Sequence, residues 1–207
     1  MTKEHKLCLS IDTASDMTSV ALCDDKGECA VARMISTRGQ GEALMSLIQD
    51  VFQQMGKSCK DLTHIAATVG PGSFTGVRIG LATARGLGLA LNVPVLGVDS
   101  FVASAYGLKR AVTVVLDSKR DDYFVQNFDK NGKAVNDPAL KTIAQLKDSL
   151  PFVACGSGAD RLAQDIKCKV VLPVQDLSLS VAQIVLNHPE RTVLPHPLYL
   201  READVTI

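Results

Sequence analysis

The stretch LCLSIDTASDMTSVALCDDKG (Leu7 to Gly27) is echoed 105 residues later by VTVVLDSKRDDYFVQNFDKNG (Val112 to Gly132). At that one offset Asp12 meets Asp117, Thr13 meets Ser118, Asp16 meets Asp121, Val20 meets Val125, Asp24 meets Asp129 and Gly27 meets Gly132. Each copy reads as an apolar strand, a turn of aspartate and hydroxyl, a returning strand and an Asp/Gly hairpin. An internal repeat constrains the fold strongly, because each copy must close into the same unit. Generic hairpin chemistry would produce some of these matches. Agreement of several features at a single offset favours a duplicated supersecondary unit.

Around the first copy the pattern predicts strands at Leu7–Ile11, Ser19–Cys23 and Cys29–Met34, with Asp24 to Gly27 as the hairpin turn, since Asp and Gly tolerate positive φ. Leu44, Leu47, Ile48, Val51, Phe52 and Met55 then recur at helical spacing, which predicts an amphipathic helix over Glu42–Met55 stopped by Gly56. Ile65–Val69 reads as a buried strand and about Thr75–Leu91 as a helix ended by Asn92-Val93-Pro94. Val95–Val98 reads as a further strand. In the second half Lys141–Leu150, Asp160–Gln164 and Leu179–His188 read as helices and Lys169–Leu172 as a strand. IAATVGPG (Ile65 to Gly72) has its own echo in FVACGSG (Phe152 to Gly158), a short strand entering G-x-G and then a helix. A three-stranded meander followed by helix, parallel strand and helix, present twice, resembles the actin-like ATPase superfamily. The expected class is therefore α/β, the actin-like (ASKHA, ribonuclease H-like) fold. Its two similar lobes, residues 1–105 and a reduced 106–207, would each carry a mixed sheet flanked by helices.

Charge says little about a nucleic-acid or membrane surface, since 22 basic residues balance 22 acidic ones. Such surfaces usually carry a basic excess, so any nucleic acid would be met through a partner that supplies the positive face. The first residues, MTKEHKLCLSIDTAS, lack the apolar length of a secretory leader. Leu87–Val98 is cut by Asn92 and Pro94, too short to span a bilayer. The six cysteines show no C-x-x-C and no regular spacing, which predicts reduced, mostly buried thiols in a cytoplasmic chain.

Two stretches bear on chemistry. VGPGSFTGVRIG (Val69 to Gly80) matches neither nucleotide fingerprint: Thr75 stands where a P-loop or dinucleotide loop needs its later glycine. Its G-x-G turn and helix start still offer backbone N–H groups to an anion. Gly72, Gly76, Gly80, Ala84 and Gly88 recur every four residues, forming one helical ridge almost without side chains. Helix-interior glycine costs about 1 kcal/mol relative to alanine, so some backbone must approach closely. Either this chain's own residues or a second polypeptide would satisfy that. Ser73 and Thr75 read as helix N-cap candidates. The second stretch is SIDTAS (Ser10 to Ser15). In actin-like ATPases an aspartate and a hydroxyl at this turn face the nucleotide phosphates, the aspartate through magnesium, and Asp117 with Ser118 would be the mirrored turn. Asp12 and Asp117 serve equally well as caps of their own turns. CGSGAD (Cys155 to Asp160) is all that stands for an adenosine loop. The four histidines (His5, His64, His188 and His196) show no metal-ligand spacing, which leaves a metallopeptidase reading without ligands, and no G-x-S-x-G elbow is present.

Four stretches, IDTASDMTSVAL (Ile11–Leu22), GPGSFTGVRIGLATARGLGLAL (Gly70–Leu91), VPVLGVDSF (Val93–Phe101) and PLYLRE (Pro197–Glu202), resemble the bacterial TsaB family, formerly YeaZ. The likeness runs nearly end to end. It implies a partner subunit without catalysis of its own. The expected partners are TsaD, the actin-like catalytic subunit, and the ATPase TsaE, in a complex that places a threonylcarbamoyl group on the tRNA adenosine next to the anticodon. It implies a homodimer when the chain is alone, tRNA met only through the complex and no membrane. Alone it would hold no tightly bound cofactor, with ATP or ADP and magnesium entering at the complex interface. The docking face it implies comprises Glu42, Met45, Gln49, Gly76, Gly80, Thr83 and Ala84. The nucleotide residues, Asp12, Thr13, Gly70, Gly72 and Ser73, would be vestigial. TsaD carries H-x-x-x-H on the corresponding first helix, whereas RGQGEALMSL has neither histidine. Gln40 and Ser46 stand where many family members keep a histidine and a proline. The runner-up is a free-standing small ATPase or phosphotransferase using Asp12, Thr13, Asp117 and the loop Gly70 to Ser73.

Overall fold

The computed structural model describes residues 5–35, 40–149 and 152–200. Arg38, Gly39, Leu150, Arg201, Glu202 and the side chain of Gln40, all named above, lie outside them.

The chain forms the same unit twice. β1 (Leu7–Asp12), β2 (Met17–Asp24) and β3 (Cys29–Ile35) make an antiparallel meander, and β4 (His64–Thr68) and β5 (Val95–Val98) add in parallel to β1. β6 (Val112–Asp117), β7 (Asp122–Phe128) and β8 (Ala139–Thr142) repeat the meander, with β9 (Val153–Cys155) and β10 (Lys169–Val170) again parallel. The sheet orders β3-β2-β1-β4-β5 and β8-β7-β6-β9-β10 are therefore equivalent. The offset of the repeat survives to single hydrogen bonds. Asp24 Oδ1 accepts from the N–H groups of Lys26 and Glu28, and Asp129 Oδ1 from those of Asn131 and Lys133. Gly27 and Gly132 close these turns at φ 93° and 71°, where a side chain would be strained.

Alternation sorts the strands between five layers. Leu7, Leu9 and Ile11 face α1 (Gln40–Met55) and α2 (Phe74–Leu91), packing on Leu44, Ile48, Val51, Val77, Leu81 and Ala84. Cys8 and Ala21 face the other way, onto Val181, Ile184 and Val185 of α6 (Leu177–Asn187) and Ala103 of α3 (Ser100–Ala105). α3 then turns Phe101 and Ala105 onto Val112, Val114, Leu116, Phe124 and Phe128 of the second sheet. Leu146 of α4 (Ile143–Lys147) and Leu162 of α5 (Ala159–Asp165) cover that sheet's far side, against Val115, Tyr123 and Val125. α6 belongs by sequence to the second half and by packing to the first sheet, so it and α3 weld the two halves together. Full burial of each Leu, Ile or Phe in these layers contributes about 1.5–3 kcal/mol.

Three expectations need correcting. Lys141 is strand, in β8, and the helix begins only at Ile143, because Thr142 and Gln145 form a capping box. The strand expected to run to Leu172 stops at Val170. Finally, not all cysteines are free: Cys23 and Cys29 face each other across the β2–β3 hairpin and form a disulfide. Its cause is register, since both flank the turn that begins at Asp24. α3 was not anticipated.

Candidate functional site

The glycine ridge is filled by the chain's own first turn. Ser73 caps α2 by accepting from the Gly76 N–H at 3.2 Å. Along the helix, Gly76, Gly80, Ala84 and Gly88 are all buried. A Cβ at Gly76 would overlap the Thr13 carbonyl oxygen, at Gly80 the Thr13 hydroxyl, at Gly72 the Ala14 carbonyl and at Gly88 the side chain of Val95. The Thr13 hydroxyl donates to the Gly76 carbonyl at 2.6 Å, and the Ser73 N–H donates to the Ala14 carbonyl at 2.7 Å. Gly76, Gly80 and Ala84 therefore do not present a docking face. Their spacing reports a close backbone approach, and the approaching backbone is the β1–β2 turn. Glu42, Met45 and Gln49 do lie exposed on α1, and Thr83 is half-buried.

The same seating consumes the nucleotide candidates. Asp12 is 1% exposed and accepts from the Thr68 hydroxyl at 2.7 Å and the Ala14 N–H at 3.2 Å. Burial raises its pKa from 3.8 to about 6; the two hydrogen bonds oppose the rise and the charge of Asp176 adds to it. Thr13 is buried with its hydroxyl spent on α2. In the loop that follows β4, the Gly70 carbonyl accepts from the Ser100 N–H, while Gly72 and Ser73 press on Ala14.

At the mirrored turn, Asp117 accepts from Arg161 Nη1 at 2.7 Å and from the Lys119 N–H at 2.8 Å. Lys119, at φ 63°, carries its ammonium to 2.6 Å from Asp16 and 3.4 Å from Asp117. Burial works against that charge, but the bond to Asp16 and the field of both carboxylates outweigh it and hold the ammonium above its ordinary pKa. One ammonium thus bridges the two turns. Among the described residues no group of three or more His, Cys, Asp or Glu side chains is placed to hold a metal ion. None of the described helices is long and apolar enough to cross a membrane.

Two features escaped the sequence reading. A second row of small residues, Ala82, Gly86 and Ala90, runs along the exposed side of α2, and a Cβ at Gly86 would meet open space. Beside it Leu89 is 87% exposed, and a groove of about 380 Å³ lies between α1 and α2, lined by Met45, Ile48, Gln49, Phe52, Leu87 and Leu91. The second feature is a strap. Val193 pairs with Gly97 on the outer edge of β5, and the Leu198 N–H donates to the Val69 carbonyl at 2.7 Å. Arg78 stacks 3.7 Å over the Phe74 ring and donates from Nε to the Tyr199 hydroxyl at 3.0 Å. The strap covers an edge that would otherwise offer unpaired backbone groups.

The chain is similar to known proteins. The TsaD family profile, described as tRNA N6-adenosine threonylcarbamoyltransferase, matches residues 34–193. The tRNA threonylcarbamoyladenosine biosynthesis protein TsaB of Escherichia coli is 34% identical over 93% of this chain and 94% of its own. The chain belongs to the TsaB family. A second TsaB, from Buchnera aphidicola, is 26% identical over 95% of the chain and 99% of its own. Among solved structures, YeaZ from Pseudomonas aeruginosa superposes with TM-score 0.77 at 22% identity, covering 94% of this chain and all of that one. The activator of 2-hydroxyisocaproyl-CoA dehydratase from Clostridium difficile, solved with ADPNP, superposes at TM-score 0.52 and 10% identity over 90% of this chain and 96% of that one. The shared architecture is the actin-like ATPase fold, and this chain keeps its duplicated sheets.

Proposed function

We propose that this chain acts as an accessory subunit without catalysis of its own, in the assembly that makes threonylcarbamoyladenosine on tRNA. Its partner is a TsaD-like catalytic subunit, with a TsaE-like ATPase completing the complex. The observation that carries this reading is the packing of the first turn onto α2. Asp12 and Thr13, the residues an actin-like ATPase would turn toward phosphate, are buried and bonded within the chain. The mirrored Asp117 is held by Arg161 and Lys119. A cation and phosphates would have to displace the Lys119 bridge and pull Thr13 off the Gly76 carbonyl. A free-standing ATPase needs those groups open.

The docking surface in this reading is the outer side of α1 and α2. Glu42, Met45 and Gln49 remain on it. Ala82, Gly86 and Ala90 take the place expected for Gly76, Gly80 and Ala84. A row of small residues lets a partner helix approach closely, and the exposed Leu89 with the adjoining groove supplies apolar area. The same surface serves a homodimer when the chain is alone. Nucleotide with magnesium belongs to the assembled interface, tRNA is reached through the complex, and the site of action is the cytoplasm.

Calorimetry and turnover assays with magnesium-ATP test the first half of this reading. The isolated chain is expected to give no saturable binding and no hydrolysis. Hydrolysis that Asp12→Ala abolishes would establish the free-standing enzyme instead.

A further inference from the structure

Three cysteines stand side by side across three strands. Cys8 on β1 is directly opposite Cys23 on β2, and Cys23 is directly opposite Cys29 on β3. All three pack into the layer under α6. Cys23 and Cys29 are bonded, with their Cα atoms 4.2 Å apart. That separation lies close to the range disulfides usually span, about 4.4–6.8 Å. The separation here is set by the strands, because directly opposed antiparallel residues stand about 4.5–5.5 Å apart.

Access differs among the three. Cys8 and Cys23 have no exposed surface, whereas Cys29 is partly exposed. The Cys8 thiol, donating toward the Leu9 carbonyl, is pushed far above its ordinary pKa by burial. It stays protonated and is a poor nucleophile, so the bond has no route of exchange toward β1. Cys29, the partly exposed member of the pair, is therefore the side from which an incoming thiolate would reach the bond.

We propose that Cys23 and Cys29 form a reversible redox site, opened and closed by a small-molecule thiol/disulfide couple of the glutathione class. In the opening direction a thiolate attacks Cys29 Sγ. A mixed disulfide forms there, and Cys23 Sγ leaves as thiolate and takes a proton from solvent. A second thiolate attacks the small-molecule sulfur of that mixed disulfide. The small molecule departs as its own disulfide and Cys29 is released as thiolate. Two electrons pass from the two small thiols to the protein bond, and closure runs the same steps in reverse. The consequence is local: the bond fixes the β2–β3 register beneath α6, the helix that ties the two halves together.

Peptide-resolved differential alkylation of the native full chain tests this, first in reduced and then in oxidised glutathione. Cys23 and Cys29 are expected to become alkylatable together under reduced glutathione and protected together under oxidised, with Cys8 unlabelled throughout. A bond that opens only in denaturant overturns the proposal. So does a pair that never closes under oxidised glutathione, or an oxidation that stops at a glutathione adduct on Cys29. As a second readout, the oxidised chain is expected to melt roughly 4–9 °C above the reduced one, given a loop of six residues. Cys29→Ser is expected to remove that difference, and a difference that persists in the variant contradicts the assignment.

Discussion

Gly76→Ala is expected to destabilise the folded chain by at least about 2 kcal/mol, and Gly86→Ala to stabilise it by about 0.5–1 kcal/mol. Both glycines lie inside the same helix, and both substitutions carry the same gain in helix propensity. What separates them is the far side of the Cβ. At Gly76 it would enter the Thr13 carbonyl oxygen, which β1 and the bond from Thr13 to Gly76 hold in place. Relief requires lifting the turn off α2, and with it the bonds from Thr68 and Ala14 to Asp12. At Gly86 the Cβ would meet open space. Denaturant unfolding of the two variants measures the contrast. For a chain of this size about 1 kcal/mol moves Tm by 2–4 °C, so Gly76→Ala should melt about 4 °C or more below wild type. Equal and small effects would mean that the turn is not seated on the ridge.

Asp12→Asn is expected to stabilise the chain near neutral pH and to leave it nearly unchanged near pH 4. The folded-state pKa of Asp12 lies at about 6, above its ordinary 3.8. Between those values the folded chain keeps a proton that the unfolded chain has released, so its stability falls as pH rises from about 4 to about 6 and then levels. A gap of about 2 pH units corresponds to at most about 3 kcal/mol. Asparagine keeps an oxygen to accept from Thr68 and Ala14 while carrying no charge to desolvate, and its amide suits the nearby Asp176 carboxylate. Asp99, whose side chain caps α3, is likewise raised to about 6 by burial and adds a slope of the same sign. The wild-type-minus-variant difference across the pH series isolates Asp12. A variant less stable than wild type by the same amount at pH 4 and pH 7 would show that the charged form is not penalised.

The sequence revealed most where one feature had one structural reading. Asp24 and Gly27, matched by Asp129 and Gly132, could hardly be anything but hairpin turns, and the fixed offset carried the whole duplicated plan with them. The glycine ridge behaved differently. Spacing of four residues demands a close neighbour but does not say on which side of the helix. Ala82, Gly86 and Ala90 give the same spacing on the opposite face, and only the fold shows which row is inside. The segment from Ala139 to Lys147 has helix-forming composition throughout, yet Thr142 and Gln145 form the capping box that starts the helix late, a signal present in the letters. The Cys23–Cys29 pairing was not legible in the same way: a turn over Asp24 to Gly27 would set Cys23 opposite Glu28, whereas Asp24 bonds both Gly27 and Glu28 and the extra residue brings Cys29 opposite Cys23. α3 left no such trace: Ser100–Ala105 is short and almost wholly buried, so it has no polar face to mark its period.

The seated turn closes the inner side of α2, and the proposal leaves its outer side, with α1, to bind the TsaD-like subunit. Calorimetric titration of that subunit into wild type and Gly86→Glu puts this most directly. The substitution adds a charged side chain where open space now lies, so the variant should melt within about 2 °C of wild type. Its affinity for the partner is expected to fall at least about tenfold, as a carboxylate is carried into the contact unpaired. Unchanged affinity in the folded variant would place the partner elsewhere on the chain.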